Sequence, residues 1–185
     1  MTLRHKQGFY TKDRYVDNGT RLVRITDLLG NTIDFSAMPM LNVSQLEFDQ
    51  FKINRGDFLF ARSGAIGRYG MVHEDVEAVF GSYIIRFVFD PNKVNNEYFG
   101  YLYQTSIIWR QLLSITQGSS NININAANIK SLRIPLPTTD EQNAIANVLL
   151  SMDAEIALLE AQLAKYRQLK QGLMQKLLTG RIRLI

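Results

Sequence analysis

Two segments of the chain combine the residue types that could read DNA. Residues 61–68 (Ala-Arg-Ser-Gly-Ala-Ile-Gly-Arg) join a hydroxyl and two arginines to glycines, which let a backbone approach a ligand closely. Residues 117–125 (Gln-Gly-Ser-Ser-Asn-Ile-Asn-Ile-Asn) crowd amides and hydroxyls together. Gln and Asn can pair bidentately with adenine, and Arg with guanine or phosphate, so the two segments together suit a DNA-reading surface. The alternative for either segment alone is a capped loop whose polar side chains satisfy their own backbone.

Residue type and loop position select the candidate contacts. Those expected near bases or phosphates are Arg62, Ser63, Gln117, Ser119, Asn121 and Asn123, and those expected near the DNA backbone are Lys12, Arg14 and Arg68. The net charge of +4 favours a polyanionic partner only weakly, because many proteins of this charge never bind nucleic acid.

Several classes of catalytic site are absent from the sequence. It contains neither a G-x-x-x-x-G-K-[ST] phosphate loop nor a G-x-G-x-x-G segment, and no acidic residue has a lysine two positions later. The two histidines, His5 and His73, have no partners at metal-ligand spacing, and cysteine is absent. We therefore expect a protein that is not an enzyme and has no metal or cofactor. The lack of cysteine, of a membrane-length apolar run and of a signal-peptide core predicts a soluble, cytoplasmic protein.

The first 137 residues predict a mixed α and β domain. Runs rich in Val, Ile, Phe and Tyr predict strands, separated by turn residues. The predicted strands are Thr20–Ile25, Asp57–Ala61, Tyr83–Phe89 and Leu132–Leu136; Asn95–Leu113 has helical spacing, and Asn42–Phe51 is ambiguous. The overall fold class is therefore α+β.

A long helix is predicted for the rest of the chain, residues 138–185. Pro135 and Pro137 prevent an earlier start, and Thr139 with Gln142 has capping-box spacing. Gly180 can adopt the left-handed conformation that ends a helix. About 40 residues at about 1.5 Å each give a helix of about 60 Å, which must pack against something.

The apolar residues of this helix form a narrow stripe with coiled-coil spacing. A helix lying on its own domain normally carries a wider stripe, so we favour a helical partner over packing on the chain's own core. The residues of the stripe, which we call the seam, are Leu149, Met152, Ile156, Leu159, Leu163, Tyr166, Leu173 and Leu177.

Five short segments resemble the specificity subunit of Type I restriction-modification systems. The segments are residues 8–10 (Gly-Phe-Tyr), 22–27 (Leu-Val-Arg-Ile-Thr-Asp), 56–64 (Gly-Asp-Phe-Leu-Phe-Ala-Arg-Ser-Gly), 128–137 (Asn-Ile-Lys-Ser-Leu-Arg-Ile-Pro-Leu-Pro) and 141–146 (Glu-Gln-Asn-Ala-Ile-Ala). The junction from Ile-Pro-Leu-Pro to Glu-Gln is the most specific of these likenesses. The likeness covers nearly the whole chain.

The resemblance implies a domain organisation and a set of partners. Residues 1–137 would be a target recognition domain and residues 138–185 a conserved spacer and dimerisation helix. Members of this family usually carry two such domains, so this chain resembles a half subunit that pairs with a second copy through antiparallel helices, as a homodimer. It would then recognise a bipartite DNA site without catalytic residues, directing a separate methyltransferase subunit and, through it, a restriction subunit. The alternative function is a scaffold that uses only the helix, binding the methyltransferase subunit in competition with a full-length specificity subunit.

Overall fold

The computed structural model describes residues 2–11, 14–65, 67–116 and 123–184. By its internal contacts the chain divides into two units, Met1–Asn143 and Ala144–Ile185. The functional division at residues 137 and 138 that the sequence analysis expects stays a prediction. None of the helices within the described ranges is long and apolar enough to cross a membrane.

The first unit contains two sheets. The strands are β1 (Thr2–Gln7), β2 (Thr20–Val23), β3 (Met40–Leu41), β4 (Phe58–Ala61), β5 (Tyr69–Met71), β6 (Ala78–Phe80) and β7 (Ile84–Phe89). The larger sheet is antiparallel throughout, in the order β1-β7-β4-β5. The smaller has the order β3-β2-β6, with β2 and β6 parallel. The predicted strands at Thr20–Ile25, Asp57–Ala61 and Tyr83–Phe89 are confirmed as β2, β4 and β7.

All four side chains of β4 are buried. Since successive side chains point to opposite sides of a sheet, both faces of β4 are covered. On one face Phe58 stacks on Tyr69 with 5.0 Å between ring centroids, and Phe99 meets Phe58 edge-on. On the other face Leu59 packs in a cluster with residues of the smaller sheet, among them Val23. Burying a large apolar side chain contributes about 1.5–3 kcal/mol, so this strand is firmly held between two layers.

A turn that ends in a buried aspartate, Asp57, precedes β4. The backbone N–H of Asn54 donates to the Asp57 carboxylate at 2.8 Å, and Gly56 adopts a φ of +87°. The Arg86 guanidinium lies 3.5 Å from the same carboxylate. Burial raises the pKa of Asp57 and lowers that of Arg86, since loss of solvent outweighs the attraction between the two charges. The Gly-Asp pair in the sequence is therefore a turn that starts the central strand.

Five helices complete the described fold: α1 (Gln45–Phe51), α2 (Asn96–Tyr103), α3 (Ser106–Thr116), α4 (Ala126–Ser131) and α5 (Thr139–Leu178). The ambiguous segment at 42–51 thus holds α1, whose N-cap Ser44 forms a capping box with Glu47. The segment predicted helical at 95–113 is two helices. Its break lies at Thr105, whose hydroxyl donates to the Leu102 carbonyl oxygen at 2.7 Å and ends α2.

The prediction of a strand at Leu132–Leu136 is wrong. Pro135 and Pro137 have no N–H to donate to a sheet ladder. Instead, the side-chain amide of Gln111 bonds both the N–H and the carbonyl oxygen of Arg133, each at 2.8 Å. Tyr98 donates to the Pro135 carbonyl oxygen at 3.0 Å. The backbone of this segment is therefore bonded by side chains and not by a neighbouring strand.

The long helix α5 is confirmed, but its predicted capping box is wrong. The hydroxyl of Thr138, one residue earlier than expected, accepts from the backbone N–H of Glu141 at 3.3 Å. Gln142 is fully buried and bonds elsewhere: its Oε1 accepts from the Asn95 N–H at 2.9 Å. At the other end Gly180 adopts the expected left-handed conformation, with φ of +70°.

Candidate nucleic-acid interface

The described parts of the two polar segments lie side by side. Ser63 and Asn123 form an antiparallel β-bridge, and the N–H of Ile124 donates to the Arg62 carbonyl oxygen at 2.8 Å. Ile124 is itself almost completely buried and anchors the second segment to the domain. Three predicted contact residues, Arg62, Ser63 and Asn123, are thus brought together.

The first segment depends on two glycines in the left-handed region, Gly64 at φ +77° and Gly67 at φ +80°. A Cβ on Gly67 would lie only 2.5 Å from Cζ3 of Trp109, so the indole of α3 packs directly on this glycine. Such a close approach is possible only without a side chain at position 67. Glycine here shapes the segment that carries the arginines.

Part of the second segment follows the capped-loop alternative. Asn125 is the N-cap of α4 and exchanges two hydrogen bonds of 2.9 Å with Asn128, side chain to backbone in each direction. The side-chain oxygen of Asn125 therefore accepts from the chain's own backbone. Asn123, by contrast, is exposed, and its backbone pairing with Ser63 leaves the side chain available.

The candidate arginines are free of acidic partners within the described part of the chain. Arg14 is exposed and Arg62 is half-buried, and no carboxylate there lies within ion-pair distance of either. Arg68 is exposed and donates to the Ile25 carbonyl oxygen at 3.2 Å. Cations without acidic partners are suited to contact phosphate oxygens or a guanine edge.

A concavity of about 660 Å³ adjoins these segments. It has three tyrosines in its lining, Tyr10, Tyr15 and Tyr83, which are 68%, 61% and 61% exposed. Tyr83 connects it to the first segment, because the Arg62 N–H donates to the Tyr83 carbonyl oxygen at 2.7 Å. Arg14 also belongs to the lining, so the structure places this residue beside aromatic rings.

Arg24, which also lines the concavity, has a structural role. Its guanidinium donates to the Asp27 carboxylate at 2.8 and 3.2 Å and holds a short 3-10 helix at Ile25–Asp27. Hydrogen bonding to Asp27 raises the pKa of Arg24 above its ordinary value. Because the charge of Arg24 is balanced by Asp27, Arg14 is better suited to bind an anionic ligand.

Four predicted contacts, Lys12, Gln117, Ser119 and Asn121, lie outside the described residues. Tyr10, Tyr15 and Tyr83 were not among the contacts predicted from the sequence. One signal was available for Tyr10, which ends a segment carrying the family resemblance. Tyr83 was assigned to a strand, although it immediately precedes β7.

Comparisons with known proteins identify the family. Residues 8–167 match the family model described as the Type I restriction modification DNA specificity domain. The MjaVIII specificity subunit of Methanocaldococcus jannaschii is 25% identical over 96% of this chain and 44% of its own length. The EcoBI specificity subunit of Escherichia coli is 25% identical over 90% of this chain and 36% of its own length. The chain therefore spans less than half the length of these relatives.

Solved structures share the fold. A chain from a study of complex assembly and conformational transition in the type I R-M system matches with a TM-score of 0.64 at 16% identity, over 93% of this chain and 42% of that one. The HsdS subunit from Thermoanaerobacter tengcongensis matches with a TM-score of 0.60 at 17% identity, over 85% of this chain and 41% of that one. On the family match over most of its residues, the chain belongs to the Type I restriction modification DNA specificity domain family.

Proposed function

We propose that this chain recognises DNA sequence as the specificity component of a Type I restriction-modification complex. The observation that carries the proposal is the bridge between Ser63 and Asn123, which brings the described parts of the two polar segments together. Arg14, Arg62 and Arg68 lie in or beside these parts without acidic partners in the described ranges. Sequence reading would come from the polar side chains of the joined segments, and phosphate contacts from the arginines.

We further propose that two copies pair through α5 and that the pair reads a bipartite, palindromic site. Support comes from the seam, whose residues Ile156 and Leu163 are 51% and 49% exposed in the single chain. Burying this stripe against an antiparallel copy gives a closed two-fold dimer. The paired helices would set the distance between the two half-sites. A separate methyltransferase subunit, and a restriction subunit through it, would act on the DNA so selected.

Salt-dependent binding to duplex DNA tests the recognition function. Arginine contacts to phosphates release counterions, so the affinity of the chain together with its methyltransferase subunit should fall steeply with salt. Arg62→Ala and Asn123→Ala should weaken specific binding by about 1–3 kcal/mol wherever a bidentate base contact is lost. Arg55→Ala is the matched control and should leave specific binding unchanged. Arg55 precedes β4 whereas Arg62 follows it, so the two arginines lie at opposite ends of that strand.

The outcome separates this function from the helix-only scaffold. A scaffold would add no salt-dependent DNA affinity to the methyltransferase subunit, and the Arg62 and Asn123 variants would behave like wild type. Mapping methylated sites after adding the chain and its methyltransferase subunit to a genome should yield a two-part palindrome. An asymmetric or undivided site would contradict the paired arrangement.

The pairing itself is tested by charge on the seam. Ile156→Asp with Leu163→Asp places charges inside the proposed interface and should halve the mass measured by light scattering. Ala154→Asp with Ala161→Asp is the control, because these exposed positions lie on the opposite side of the same turns. An unchanged mass for the seam variant would refute pairing through this stripe.

A further inference from the structure

The exposed tyrosines around the concavity are not explained by the fold. Tyr10, Tyr15 and Tyr83 each keep more than half of their surface in solvent. None of the three rings packs on another aromatic ring among the described residues, whereas the aromatic rings of the core pack on one another face-on, tilted or edge-on. Single exposed apolar residues are ordinary, but three rings around one concavity form a patch that a ligand can cover.

The concavity has the size and chemistry for a planar ring. Its volume of about 660 Å³ lies within the range of small-molecule sites, and its buried floor includes Phe9, Leu22 and Ile84. Polar groups at its edge include Ser82. Arg24 is paired with Asp27, so the cation of the described lining that favours an anion beside the ring is Arg14.

Stacking on these tyrosines requires a base whose face is uncovered. Within a duplex each base is covered above and below by its neighbours, and only its edges are presented in the grooves. Aromatic side chains therefore bind bases that have left the stack, through their faces. A nucleotide offers both features that the concavity matches, a planar ring and an adjacent phosphate.

We propose that the concavity lined by Tyr10, Tyr15, Tyr83 and Arg14 binds an unpaired nucleotide of the DNA, with its base against the tyrosine rings and its phosphate near Arg14. This inference rests on the proposed DNA-recognition function and adds to it. The edge-reading segments at Arg62 and Asn123 would contact paired DNA, while the concavity would hold one base extruded beside them. Continuity between the two surfaces comes from the hydrogen bond of Arg62 N–H to the Tyr83 carbonyl oxygen.

The test uses the chain together with its methyltransferase subunit and three fluorescein-labelled 24-bp duplexes of one sequence. The first is fully paired, the second has one unpaired thymidine in the middle, and the third has an abasic residue at that bulge. Affinity measured by anisotropy should be about tenfold higher for the bulged thymidine than for either other duplex, as expected for stacking of one base. The abasic duplex controls for DNA flexibility, because it has the same bulge without a base to stack.

Variants of the exposed tyrosines locate the effect. Tyr83→Leu and Tyr10→Leu should each reduce the gain for bulged thymidine, whereas Tyr83→Phe should retain it, because phenylalanine keeps the aromatic face. All three should fold, since the replaced side chains are largely exposed and Arg62 bonds only the backbone of Tyr83.

Each outcome has a defined meaning. Equal affinity for all three duplexes, or a gain that persists in both leucine variants, overturns the proposal. Absence of binding to any duplex contradicts the DNA-recognition function instead. Adding dTMP distinguishes the source of the nucleotide: loss of the gain supports a concavity that also takes a free nucleotide, and its persistence supports one that binds only a nucleotide of the DNA.

Discussion

Gln142 provides a stringent test of how the first turn of α5 is held. Its side chain is completely buried and makes three hydrogen bonds to backbone. Oε1 accepts from the Asn95 N–H at 2.9 Å, and Nε2 donates to the carbonyl oxygens of Lys93 and Pro137 at 3.0 and 2.8 Å. One amide thus connects three separate points of the backbone.

The substitution Gln142→Met keeps the length and approximate volume of this side chain but removes all three bonds. A neutral hydrogen bond contributes about 1 kcal/mol net, so the free energy of unfolding should fall by about 3 kcal/mol. For a chain of this size that corresponds to a melting temperature lower by about 6–12 °C. Asn143→Ala is the control: it removes one exposed bond, of 2.7 Å to the Asn95 side chain, and should cost about 0.5–1.5 kcal/mol.

Urea unfolding followed by tryptophan fluorescence measures both variants. Trp109 is the single tryptophan and belongs to the same unit as Gln142, so its emission reports the unit under test. Far-UV circular dichroism of the folded variants checks that α5 still forms. A loss of less than about 1 kcal/mol for Gln142→Met, or no difference from Asn143→Ala, would refute the three-bond account.

Three further predictions follow from other parts of the first unit. Gly64→Ala and Gly67→Ala both force alanine to a positive φ, at a cost of about 1–3 kcal/mol. Only the Cβ at position 67 would also lie 2.5 Å from Trp109, so urea titration should show the larger loss of unfolding free energy for Gly67→Ala. Equal losses for the two variants would contradict the contact. Adding duplex DNA should change the emission of Trp109, because its ring packs on the arginine-bearing segment, and an unchanged spectrum at saturating DNA would separate that segment from binding. Burial raises the pKa of Glu97 above its ordinary value of 4.5, although His73 lies 3.4 Å away, so above pH 4.5 the folded state holds more protons than the unfolded state. The free energy of unfolding should therefore fall as the pH rises towards the raised pKa. Glu97→Gln should lack this contribution, and parallel pH profiles of the unfolding free energy for both proteins would show the prediction wrong.

The local pattern of the chain was sufficient for the elements with strong chemical signals. Strand β4 consists of consecutive apolar and aromatic residues, and β7 has the same composition apart from Arg86. Helix α5 has a start, a stop and a regular apolar period. The left-handed Gly180 needed no tertiary contact for its prediction, because a helix C-terminus favours glycine on its own. These features depend on interactions within a few residues.

Elements held by distant groups were missed or misassigned. Strand β1 has five polar or charged residues among six, and it exists because β7 offers a partner edge. The segment at Leu132–Leu136 has strand composition, yet Gln111 and Tyr98 hold it outside any sheet. Gln142 looked like a capping residue by spacing, but burial against Lys93 and Asn95 took its amide elsewhere.

The sequence by itself determined the residue types of the candidate interface, the family resemblance and the helical stripe, since these reside in composition and spacing. Only the tertiary structure decided that Ser63 meets Asn123, that Asn125 is used as a cap, and that Tyr10 and Tyr83 line one concavity. The reason is physical, because a hydrogen bond or a shared cavity joins residues that are far apart in the chain. Their proximity depends on how the larger sheet, through β4, packs against the smaller sheet.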